Sequence, residues 1–183
     1  MHKKRVAIQG IRGAFHHLAA QEYFGAKGVD IVECPTFQGV CDTLVRHEAD
    51  CGVMAIRNTI AGEIESNNVL IKSYGFKIVD ELRLKVMMNL MALPGEKIEM
   101  LEDIYSHSIA LKQCRNFLAH YPHWKQVEVS NTAEAAKILS QRKMRRCGAI
   151  ASEVAANIYG LEILANNIQD HEQNFTDFLV IRL

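Results

Sequence analysis

Four short polar segments carry the side chains with the most chemistry to offer: Gly10-Ile11-Arg12-Gly13, Arg57-Asn58-Thr59, Ser106-His107-Ser108 and Ser130-Asn131-Thr132. Each follows an apolar run and precedes a helix or a turn. A helix that starts after such a loop leaves backbone N–H groups unpaired at the positive end of its dipole, so these segments favour anions. In open α/β sheets, ligands bind at the carboxyl ends of the strands. Taken singly, each loop reads as ordinary helix capping. Together, two in each half of the chain, they predict a cleft for a small anionic metabolite. The first loop lacks the G-x-G-x-x-G spacing, so no dinucleotide site is read there. A fifth polar segment, Asn166 to Asp170 and on through Asn174-Phe175-Thr176-Asp177-Phe178, runs straight into the last apolar run. Its Asn and Thr side chains serve either as turn residues or as hydrogen-bonding groups for a ligand.

Other reactive side chains offer less. Cys34, Cys41, Cys51, Cys114 and Cys147 are odd in number and contain no C-x-x-C pair, which points to reduced, buried thiols rather than a disulfide framework or a zinc knuckle. His16 and His17 are adjacent, and Pro122 interrupts the spacing between His120 and His123, so surface or loop histidines are favoured over metal ligands. No metal is expected. Lys143, Arg145 and Arg146 fall near a helix end, where cations complement exposed carbonyls.

The elements that must position these loops alternate. Arg5 to Gln9 reads as a strand, Ala14 to Phe24 as a helix, Val29 to Cys34 as a strand and Phe37 to His47 as a helix. Cys51 to Ile56 is a third strand, ending in the loop Arg57-Asn58-Thr59. The first lobe is thus predicted to be an open, largely parallel sheet. A helix near Glu63 to Ser73 precedes one long extended run, Lys77 to Leu93, expected to cross between lobes. A helix from Ile109 to Ala119, a strand from Gln126 to Val129 and strands at Gly148 to Ala151 and Phe178 to Ile181 follow. Asn131-Thr132-Ala133-Glu134 has the spacing of a helix-start box. The predicted architecture is α/β, with lobe one over about residues 1–76, lobe two over about 77–165, and a closing segment 166–183 belonging to either.

Composition narrows the partners. The 183 residues are 49% hydrophobic and 23% charged, enough for one substantial core or two small ones. Twenty-one basic residues balance twenty-one acidic ones, leaving no field to gather nucleic acid or a membrane surface. The basic start is followed by an apolar run too short for a signal peptide, and no window approaches a membrane span. A cytoplasmic protein with a small-molecule partner is expected.

Several segments then read together. Gly10-x-x-Gly13-x-Phe15, Met54 to Gly62, Ser106-His107 with Ala110-Leu111-x-Gln113-Cys114, Thr132-Ala133-x-Ala135-Ala136, Ala149 to Ser152 and Asn174-x-Thr176-x-Phe178 resemble, in order and register, the catalytic domain of the prephenate dehydratase family. The resemblance covers essentially the whole chain. It implies a two-lobed fold like the type II periplasmic binding proteins, with the site in the cleft between lobes. The implied reaction converts prephenate to phenylpyruvate with loss of carbon dioxide and water, without a cofactor, on the route to phenylalanine; arogenate is the open alternative substrate. The same resemblance implies Thr176 as the catalytic donor and Asn58, Thr59, Ser106, Gln113, Thr132 and Phe178 as substrate-binding positions. A homodimer is expected, and a C-terminal ACT regulatory domain is not part of the sequence.

Some positions depart from the family's pattern. Arg57 stands where the family has Glu, Asp177 where it has Arg, Ala14 where Thr is usual and His16 where Ser is. An isolated Asp177 beside Thr176 would repel a dicarboxylate by on the order of 1 to 4 kcal/mol at contact. A second reading has the two reversed charges face each other as an ion pair. Arg12 reads either as a solvent-facing residue or as a new carboxylate contact. Two functions stay open: an active dehydratase, or a silent homologue that binds an aromatic metabolite or pairs with an active paralogue.

Overall fold

The computed structural model describes residues 3–183. In chain order the elements are β1 (Lys4–Gln9), α1 (Phe15–Phe24), β2 (Val29–Cys34), α2 (Phe37–Val45), β3 (Cys51–Asn58), β4 (Gly62–Glu63), α3 (Glu65–Ser73), β5 (Lys77–Lys85), β6 (Asn89–Ala92), β7 (Asp103–Ser106), α4 (Ser108–Gln113), α5 (Arg115–Leu118), β8 (Lys125–Glu128), α6 (Thr132–Arg142), β9 (Cys147–Ala151), α7 (Glu153–Tyr159), β10 (Glu162–Ala165) and β11 (Phe175–Arg182). They form two compact α/β units. One takes the chain up to Val86 together with Gln173–Leu183, and the other is Met87–Glu172. The division therefore falls at Val86 and Gln173 rather than near 76 and 165, because β5 stays with the first sheet through its pairing with β11.

The first unit's sheet has the order β2-β1-β3-β11-β5, with β4 attached to β3. The largely parallel sheet expected from the sequence holds only for β2, β1 and β3. The connection through α3 carries the chain from β3 to β5 past an open position, and β11 fills it antiparallel to both neighbours. Alternation along the strands sends successive side chains to opposite faces. Val6, Ile8, Val53, Phe178 and Val180 pack with Ala19 and Ala20 of α1. Ala7, Met54, Leu179 and Ile181 pack on the other face with Val40 and Leu44 of α2 and Ile71 of α3. Burial on both faces is why these strands read as continuous apolar runs.

The second unit's sheet runs β10-β6-β9-β7-β8, with β7 parallel to β8 and β9, and β6 antiparallel to β9 and β10. Leu90, Ile104 and Ile150 of its strands are fully buried, as is Leu139 of α6. The helix predicted over 109–119 is broken at Cys114. Asp170 enters the helical ladder there: its N–H bonds the Gln113 carbonyl at 2.7 Å, and its Oδ1 takes the Asn116 N–H at 2.9 Å. A side chain inserted this way interrupts a helix. The long extended run likewise divides into β5 and β6. Val86 bonds Asn174, while Met88 donates to Gln169. All five cysteines are free and buried. Among the described residues no helix is long and apolar enough to cross a membrane.

Candidate active site

β3 extends two residues further than its apolar run, because β11 pairs Asp177 with Arg57 and Thr176 with Asn58. The predicted loop is thus partly strand. Asn58 Oδ1 accepts the backbone N–H groups of Ile60 at 3.0 Å and Ala61 at 2.9 Å. Backbone N–H groups only donate, so the orientation of the amide is settled. Its Nδ2 then has three acceptors in reach of its two N–H groups, which share them: Asn174 Oδ1 at 2.8 Å, Phe175 O at 3.0 Å and Thr176 Oγ1 at 2.9 Å. Thr176 accepts in this contact, which leaves its own hydroxyl proton to be donated elsewhere. Thr59 fastens the same turn: its hydroxyl donates to Gln173 O at 3.0 Å and accepts the Phe175 N–H at 2.9 Å.

The register also brings three charges together. Asp177 lies opposite Arg57 on one side and Arg83 of β5 on the other. Arg57 Nε is 3.0 Å from Asp177 Oδ2, and Arg83 Nε is 2.6 Å from Oδ1. The expected ion pair between the two reversed charges is present, with Arg83 as a third member. Asp177 is only 3% exposed, and hydrogen bonds from Arg83 and then Arg57 hold its carboxyl below the usual range against the opposing effect of burial. Two cations around one anion leave the trio at +1, so Asp177 presents no free negative charge to a ligand.

Pairing of β11 with β5 is regular from Phe175 to Val180. Thr176 and Phe178 therefore share the α1 face of the sheet, and Asp177 and Leu179 share the other. On the α1 face, the imidazole of His16 lies edge-on to Phe178 and tilted against Phe37, with ring centroids 5.1 and 5.4 Å away. β1 pairs with β3 only as far as Val53, and side chains complete the backbone bonding of Ala55 beyond it. His16 Nε2 accepts the Ala55 N–H at 3.2 Å, and Asn67 Nδ2 donates to the Ala55 carbonyl at 2.7 Å. Burial lowers the His16 pKa to about 4. The preceding loop turns at Gly10 and Gly13, whose φ angles of 96° and 94° favour glycine. Within that loop Arg12 is exposed and 3.5 Å from Asp30, while its backbone N–H bonds Glu33.

In the second unit, the hydroxyl of fully buried Ser106 donates to the Ile150 carbonyl at 2.7 Å. Gln113 closes α4 and is buried. Thr132 opens α6 directly after Asn131, whose side chain accepts the Glu134 N–H at 2.8 Å as the helix-start spacing predicted. His107 caps α4 by accepting the Ile109 N–H at 3.2 Å.

The sequence profile described as prephenate dehydratase matches residues 6–183. This chain belongs to the prephenate dehydratase family. It is 39% identical over 180 residues to the bifunctional chorismate mutase/prephenate dehydratase of Aquifex aeolicus, covering 98% of this chain and 49% of that protein. The chain thus spans about half the length of the curated relatives it matches. Among solved structures, the prephenate dehydratase of Arthrobacter aurescens in complex with L-Phe superposes with a TM-score of 0.89 at 25% identity, over 97% of this chain and 60% of that one. A protein described as GqqA, a novel type of quorum quenching acylase, superposes with a TM-score of 0.86 at 28% identity, over 98% of this chain and 64% of that one.

Within this prephenate dehydratase fold, one network holds Asn58, Thr59 and Thr176, and Phe178 sits on the same face as Thr176. Ser106, Gln113 and Thr132 belong to the second unit. Sequence reasoning missed Arg83, Asn174 and Asn67 as partners of site residues. Arg83 was visible only as one charge in an alternating strand, and its role depends on a pairing register made across about ninety residues. Asn174 was legible as a polar residue close before Thr176.

Proposed function

We propose that this chain carries out the decarboxylative dehydration of prephenate to phenylpyruvate in phenylalanine biosynthesis, with Thr176 donating a hydrogen bond to the departing ring hydroxyl. The observation that carries this reading is the bond from Asn58 Nδ2 to Thr176 Oγ1, in which the threonine accepts and so keeps its own proton to donate. In the reaction, the bond from the ring to its carboxylate breaks, carbon dioxide leaves, and the electron pair moves into the ring. The carbon–oxygen bond across the ring breaks at the same time, and one proton completes the leaving water. Aromatisation supplies the driving force, so the protein has mainly to hold the dianion and stabilise charge on the departing oxygen. A threonine hydroxyl is a poor acid, and a directed hydrogen bond is what it can offer.

The ion pairs of Asp177 with Arg57 and Arg83 remove the repulsion that an isolated Asp177 would exert on a dianion, despite the two reversed charges. Substrate contacts at Asn58, Thr59, Phe178, Ser106, Gln113 and Thr132 are part of the proposal on the strength of the family resemblance. A homodimeric state rests on the same ground, and sedimentation velocity tests it.

Phenylpyruvate formation from prephenate, followed by absorbance, tests the reaction. Thr176→Ala is expected to lower kcat by about 10² to 10³-fold, as loss of one well-placed donor does, while Thr176→Ser keeps most of it. A folded wild-type protein that leaves both prephenate and arogenate intact rejects the reading in favour of a silent homologue that binds an aromatic metabolite. Parallel assays with arogenate decide between the two substrates.

A further inference from the structure

His16 is held at three points, and one end of its ring is not used in holding it. Its Nε2 accepts the Ala55 N–H at 3.2 Å, and its faces and edges meet Phe37 and Phe178. A backbone N–H can only donate, so Nε2 is the bare nitrogen of a neutral imidazole and the proton is on Nδ1. No acceptor among the described residues takes that proton. The residue as a whole is half-buried. α1, which carries it in its first turn, starts without a side-chain cap and without an acidic residue there, an arrangement that suits a negatively charged group.

We propose that His16 is a substrate-positioning residue whose Nδ1–H donates to the side-chain carboxylate of the bound substrate, the one that phenylpyruvate retains, on the same sheet face as Thr176. This rests on the dehydratase reading for the identity of the substrate, and on the His16–Ala55 and His16–Phe178 geometry for the donor. The ring is pre-oriented by contacts that exist without ligand, so little rotamer freedom is lost when the carboxylate arrives.

The test uses the full chain labelled with ¹⁵N in its histidine rings, with the His16 signals assigned from their absence in His16→Phe. Titration with phenylpyruvate, the non-reacting product, is expected to shift the His16 Nδ1 resonance while Nε2 keeps the signature of an unprotonated nitrogen. In steady-state assays His16→Phe, which keeps the ring packing, is expected to raise KM for prephenate about tenfold, in line with loss of one hydrogen bond to a charged group. His16→Gln, whose amide oxygen can accept from Ala55 while its NH2 group donates outward, is expected to recover most of that loss. A purely structural His16 predicts lowered thermal stability in both variants with KM unchanged, and that result overturns the proposal. An unmoved Nδ1 signal at saturating phenylpyruvate overturns it as well, even in a protein that turns over prephenate. A wild type that fails to make phenylpyruvate but shifts the Nδ1 signal discards the reaction and retains the carboxylate contact.

Discussion

Asn58 uses its two ends differently. The oxygen closes the turn through Ile60 and Ala61, and the nitrogen reaches Thr176. Asn58→Asp keeps the turn's acceptor and replaces the donor with a second acceptor, so the Thr176 proton is expected to swing inward to the new carboxylate. We expect kcat for phenylpyruvate formation to fall by about 10²-fold or more, with the protein still folded by circular dichroism. A variant of unchanged kcat removes the Asn58–Thr176 bond from the mechanism.

Asp177 tests the charge exchange. Asp177→Asn leaves two arginines without their shared anion, and chemical denaturation is expected to show a loss of about 2 to 3 kcal/mol, less than for fully buried pairs because both arginines are half exposed. The carboxyl is held below its unfolded value of about 3.9. Its contribution is therefore present above about pH 4 and is lost as the pH falls through the depressed folded value. The difference between wild type and Asp177→Asn should accordingly shrink below pH 4. Restoring the family's charges with Arg57→Glu and Asp177→Arg together should recover only part of the loss, since Arg83 would then lie beside a second cation.

At the scale of elements, the sequence was most informative where the local signal was strong. β2 and β9 fall within a residue of their predicted positions because short apolar runs marked them, and α6 starts where its capping side chain predicted. Pairing partners were less legible. Nothing local to Arg57 or Asn58 says that they continue a strand, since that depends on β11 arriving from more than a hundred residues away. The break at Cys114 was hidden for the same reason, because it is made by Asp170. Glycine offers a sharper check on packing. A Cβ on Gly148 of β9 would lie 2.9 Å from Ile104, 3.0 Å from Leu90 and 3.1 Å from Leu101. Gly148→Ala is therefore expected to cost about 1 to 3 kcal/mol, read as a lower melting temperature. An unchanged melting temperature would mean that this core is looser than these distances indicate.

For the molecule as a whole, the two units differ in how they use the chain. The second is one uninterrupted stretch, Met87–Glu172, with its own sheet and core, while the first is assembled from segments on either side of it. A fragment spanning 87–172 is accordingly expected to give a cooperative thermal transition and native-like circular dichroism. A chain cut after Glu172 lacks β11, the strand between β3 and β5 and the carrier of Thr176, and should retain only the second unit's protection in hydrogen exchange. On the ribosome, this connectivity reverses the usual order of maturation, in which amino-terminal parts settle first. The later-made middle of the chain has all it needs to fold before β11 has been synthesised. The earlier-made strands must wait, with the edges of β3 and β5 unpaired, and in that interval they are exposed to chaperones and to one another's copies on neighbouring nascent chains.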